Sequence, residues 1–87
     1  MEVKNVVMKK QIKLIWDFRG NESLPIAEHH RIHLEEFIIK ESLELNETGI
    51  HKMSGMYTIA YMMVTEAQMP IVRDALKPHR GELITIE

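Results

Sequence analysis

Hydrophobic and polar positions alternate without a break from Lys10 to Arg19. Ile12, Leu14, Trp16 and Phe18 fall on one side and Lys13, Ile15, Asp17 and Arg19 on the other, the two-residue period of a strand whose faces meet different surroundings. Upstream, Val3, Val6, Val7 and Met8 carry no turn signal, and Met8-Lys9-Lys10 has the look of a start in its own right. Residues 1–9 are therefore read as an N-terminal or strand extension, and 10–87 as the domain. Gly20-Asn21-Glu22-Ser23 makes a loop, and Ser23 followed by Pro25 opens a helix running to about Leu43. Its core stripe is Ala27, His30 or Arg31, Leu34, Phe37, Ile38 and Glu41. Ile32, Ile39 and Leu43 form a second apolar line roughly 120–180° round the helix, at 100° per residue. A surface helix normally keeps that side polar.

Asn46 and Gly49 close the helix region, Ile50–Met53 is a short strand, and Ser54-Gly55 turns it back. Met56–Val64 is apolar on both faces and so belongs in the middle of a sheet. Thr65-Glu66-Ala67-Gln68 matches a capping box, opening a helix that buries Ala67, Ile71, Val72, Ala75 and Leu76, with Pro70 distorting its first turn. Pro78 stops that helix, Gly81 turns the chain, and Leu83–Ile86 forms the last strand.

The resulting order, β-α-β-β-α-β, resembles the ferredoxin-like fold of the α+β class over almost the whole chain. The resemblance implies a four-stranded antiparallel sheet with two helices on one face. The other face is then left to a partner. A central strand apolar on both sides, with Ile84 and Ile86 nearby, predicts exposed apolar surface of a size that monomers seldom tolerate. Covering several hundred Å² at ~25 cal/mol per Å² is worth several kcal/mol. That predicts a homo-oligomer, most simply a symmetric dimer packed sheet to sheet, similar to the dimeric α+β barrel arrangement.

Composition narrows the function. Eighty-seven residues make one domain. With no cysteine, thiolate metal sites, thiol nucleophiles and disulfides are excluded. The N-terminus does not read as a signal peptide and no apolar run approaches membrane length, so a cytoplasmic protein without membrane contact is expected. A net charge of −2, with both signs mixed along the chain, speaks against nucleic acid as a partner. RNA-recognition modules share the element order, but Ser54-Gly55-Met56-Tyr57-Thr58-Ile59 puts Met56 and Thr58 where their stacking aromatics belong. No nucleophile elbow or glycine-rich phosphate loop is present.

Candidate chemistry gathers in two places. His29 and His33, four residues apart on one helix side, have the spacing two imidazoles need to reach one divalent transition metal, with Glu28 or Glu36 as a third donor. The bland alternative is a solvated helix edge. Asp17 is sent by the alternation to the sheet face opposite the helices, where apolar cover would raise its pKa as a general base requires; His51 and Tyr61, or Tyr57, could join it. A Lys13–Asp17 ion pair accounts for the same placement without catalysis. The basic turn Lys77-Pro78-His79-Arg80 suits a helix C-terminus with no ligand at all. The methionines around His51 are more often core filler than copper ligands. The leading expectation is a non-catalytic small-ligand or metal-binding module. A small acid–base enzyme built on Asp17, His51 and Tyr61 is the alternative, and a structural or interaction subunit the second.

Overall fold

The computed structural model describes residues 9–86. The reading of residues 1–8 as an extension lies outside the described residues; Lys9 already belongs to the first strand. The elements are β1 (Lys9–Arg19), α1 (Ser23–Glu41), β2 (Thr48–Ser54), β3 (Tyr57–Thr65), α2 (Met69–Leu76) and β4 (Arg80–Ile86). The strands lie in the order β2-β3-β1-β4, each neighbouring pair antiparallel. This is an α+β architecture consistent with the ferredoxin-like fold, with β1 and β3 central as their apolar runs require.

The β1–β3 register pairs Ile12 with Val64, Leu14 with Met62, Trp16 with Ala60 and Phe18 with Thr58. These side chains share one face, where they meet Ala27, Leu34 and Ile38 of α1 and Val72 of α2 in the core. Both helices therefore cover the same side of the sheet. Ser42 takes the left-handed conformation and ends α1; its N–H donates to Ile39 O and that of Leu43 to Ile38 O, the Schellman arrangement. That stop folds Leu43 back onto the core, which removes it from the second apolar line. Ile32 and Ile39 stay in solvent, 52% and 75% exposed. His30 is the inward partner of the His30/Arg31 alternative, lying against Trp16 and Phe18, whereas Glu41 is exposed.

Ser23 opens α1 as expected, with Glu22 at the cap position, and the Ser23 hydroxyl is buried against Thr58 Oγ1 at 3.0 Å. Three expectations about α2 need correction. The capping-box bond does form, Gln68 N–H to Thr65 Oγ1 at 3.2 Å, yet residues 66–68 are a turn and α2 begins at Met69. Pro70 then falls in the first turn, where its missing N–H is not needed. The short helix buries only Val72 fully, leaving Ala67, Ile71 and Ala75 exposed. It is tied down at its end by Trp16, whose indole N–H donates to Leu76 O at 2.9 Å.

The open sheet face is less apolar than its strands suggested. Ile15, Ile59 and Met63 point there, yet they are only 1%, 5% and 7% exposed within the single chain. The register surrounds Ile15 with Tyr61 on one neighbour and Arg80 on the other. Along its own strand it sits between Lys13 and Asp17. Long amphipathic side chains lie over short apolar ones and keep their polar ends wet. Lys13 Nζ sits 4.6 Å from the centre of the Tyr61 ring, and the Arg19 guanidinium 3.9 Å from that of Tyr57. Tyr61 in turn lies across Gly49, where the ring fills the space a β-carbon would take. Ile15, Ile59 and Met63 therefore contribute little to a wet apolar patch on this face.

Candidate functional site

Asp17 is held, not poised. Arg80 grips its carboxylate with two bonds, Nε to Oδ2 and Nη2 to Oδ1, each 3.1 Å. The Tyr57 hydroxyl donates to Oδ1 at 2.5 Å. β4 starts at Arg80, opposite Ile15, so no strand residue can accept the backbone N–H of Asp17. The side chain of His79 replaces it, Nδ1 accepting at 2.8 Å. The carboxyl is held below its ordinary value, chiefly by the Arg80 hydrogen bonds, which outweigh the opposing effect of burial. This reverses the raised pKa expected for a general base. Lys13 is not its partner, being engaged with Tyr61. His51 is exposed on edge strand β2, opposite Ile59, whose other neighbour is Asp17. Two strand spacings, roughly 9.5 Å, separate them, and among the described residues no hydrogen bond joins Asp17 to His51 or Tyr61. Of the two tyrosines offered, Tyr57 is the one that reaches Asp17; Arg80 is the partner that sequence reasoning missed. The basic turn spends Arg80 on Asp17 and Glu82, and His79 on the Asp17 backbone.

The α1 histidines do come together. Their Nε2 atoms are 3.0 Å apart, and the His33 Nδ1 lies 3.2 Å from Glu36 Oε1. The burial of Ala27, Leu34 and Ile38 on the opposite side of the helix fixes this outward roll. Two nitrogens each ~2.0–2.1 Å from one ion lie roughly 2.9–3.4 Å apart at ordinary coordination angles. A histidine that binds metal through one ring nitrogen commonly gives its other N–H to a carboxylate, which fixes the tautomer; Glu36 stands in that position. Glu36 thus orients His33 rather than adding a third donor beside Nε2. Among the described residues, no group of three or more histidines or carboxylates stands close enough to hold a metal ion.

A cleft of about 350 Å³ opens between α2 and β4, floored by Ile12, Leu14 and Met69 and widened at Gly81. Its volume suits a small organic molecule. Arg73 and Arg80 at its rim are already paired, with Asp74 and with Asp17 and Glu82. Among the described residues lining it, no charged group is left without an ion-pair partner. No helix among the described residues is long and apolar enough to cross a membrane. Comparison with protein-family models, with curated proteins and with solved structures gives no match.

Two titrating groups set an acid limit on the fold. His30 is shifted below its ordinary 6.5 by burial, with like charge on His33, His79 and His29 adding to it, and its Nε2 is buried without a partner. A histidine kept neutral in the fold takes up its proton more readily when unfolded. Stability is then complete above about pH 6.5 and falls as pH drops towards the lower native value. Asp17 acts below the ordinary carboxylate value of 3.8, its contribution being lost as pH falls through the depressed native value. Denaturant midpoints measured from pH 8 to 3 should show the upper decline in the wild type and not in His30→Phe. If both proteins show the same curve between pH 6.5 and 5, His30 is not its source.

Proposed function

We propose that this chain is a non-catalytic metal-binding module that takes a divalent transition metal at His29 and His33. The observation that carries this reading is the convergence of the two Nε2 atoms, with Glu36 on the far nitrogen of His33. Imidazole nitrogens suit zinc, nickel and copper. The pair needs no tertiary support to form, because a four-residue separation places both rings over one helix turn. The acid–base enzyme has no comparable support. A base whose oxygens are taken by Arg80 and Tyr57, and whose pKa is lowered, accepts a proton poorly at neutral pH.

Isothermal titration of metal-stripped protein with Zn²⁺ or Ni²⁺ tests the reading. Wild type should bind saturably, and His29→Ala and His33→Ala should each weaken binding at least tenfold. Glu36→Gln should retain binding with a smaller loss. If the wild type binds no more metal than the double alanine variant, the assignment is wrong.

A further inference from the structure

Two nitrogens leave a metal half coordinated. A structural zinc site closes with four protein ligands, and the described residues of this chain offer two at the place. The missing pair has to come from elsewhere, and the exposed side of α1 indicates where.

Glu22, Ile26, His29, His33, Glu36 and Lys40 succeed one another at spacings of four, three, four, three and four, and all are exposed. This is the seam spacing of paired helices, here on the side of α1 turned away from its own sheet. The charged ends of the seam are complementary to each other in reverse. A twofold axis through the midpoint of His29 and His33 sets Glu22 against Lys40 of a second copy, Ile26 against Glu36, and each histidine against the other. Parallel alignment would set Glu22 on Glu22 and Lys40 on Lys40, like on like. Ile32 and Ile39 flank the seam in solvent, unsatisfied in the single chain and available for cover by a neighbour. The expectation of a dimer returns, on the helix rather than the open sheet face.

We infer that two copies of this chain pair antiparallel through the outer face of α1 around one shared zinc-class ion, each giving His29 and His33. This rests on the metal-binding reading above and deepens it: the complete site belongs to the dimer. The contact is isologous, as a twofold interface must be. One helix face is smaller than the ~800 Å² per partner that a standard stable interface buries. Apolar contact alone therefore holds the pair weakly, and the ion supplies the rest. Self-association is metal-dependent.

Sedimentation velocity of the whole chain at tens of micromolar, with Zn²⁺ titrated in and then chelated, reads the stoichiometry and the assembly together. The expected result is a doubling of mass that saturates at one zinc per two chains and reverses with chelator. His29→Ala/His33→Ala remains monomeric at every zinc concentration. Glu22→Lys raises the zinc or protein concentration needed for dimerisation several-fold, and Glu22→Lys/Lys40→Glu restores it, which separates the proposed seam from a general loss of folding. Zinc bound at one per chain by a monomer would overturn the sharing and leave the metal site standing. No zinc binding at all overturns both. A dimer that persists in chelator, or that is indifferent to both charge variants, overturns the interface.

Discussion

Trp16→Ala should cost about 3–5 kcal/mol of stability, the range for truncating a buried large aromatic. That approaches the total stability of a small domain, about 5–15 kcal/mol, so the variant is expected to be largely unfolded at 37 °C. Trp16 sits at a convergence. Its ring is buried in the core against His30, on the face of β1 that α1 covers, while its indole N–H holds the last carbonyl of α2. Trp16→Phe keeps most of the ring and removes the donor, and should cost about 0.5–1.5 kcal/mol for the hydrogen bond plus a smaller packing loss. The two effects separate by position. Amide exchange should quicken across α2 in Trp16→Phe while β3 stays protected, because α2 is short and buries only Val72 fully. Uniform acceleration over sheet and helices would mean that the indole donor does not anchor α2 in particular.

How much of this was legible beforehand depended on whether one element or several had to be known. The alternation in β1 placed Trp16 and Asp17 on their correct faces because a strand's period is local. The β3 run was correctly central, since only a strand with neighbours on both sides can hide apolar residues on both faces. The histidine spacing on α1 was equally local. What could not be read were facts that join distant elements. Strand alternation offers Asp17 the neighbouring Lys13 as an alternative ion-pair partner. Its real partner, Arg80, lies opposite Ile15 only because β4 begins earlier than Leu83. The roof over Ile15, Ile59 and Met63 is built by residues that each read as an ordinary exposed polar position. Hence an apolar strand was mistaken for an apolar surface. The α2 start differs for another reason: Thr65 makes its capping bond, but residues 66–68 form only a turn and the regular helix begins at Met69.

The buried pair Ser23–Thr58 gives the second large expected effect, and it separates the fold from the site. Both hydroxyls lie in the interior, bonded across 3.0 Å where the start of α1 meets the far end of β3's helix-facing row. Removing one hydroxyl leaves the other buried without a partner, which costs about 1–3 kcal/mol. Thr58→Val is nearly isosteric, so it reports that loss with little change in volume. Ser23→Ala should do the same from the other side. Ser23→Ala/Thr58→Val removes both polar groups at once and should be closer to wild type than the sum of the singles, because no orphaned hydroxyl remains; a double-mutant cycle in denaturant measures the coupling. Strict additivity would mean that the two hydroxyls do not satisfy one another. Zinc binding by the same double variant should be unchanged. The chelating geometry of His29 and His33 is set by the turn of α1 that carries both, one turn and more beyond Ser23, and the double variant keeps that helix on its sheet. A fold weakened at this pair with an intact metal site is the outcome expected if the helix backbone alone, rather than the way α1 docks, creates the site.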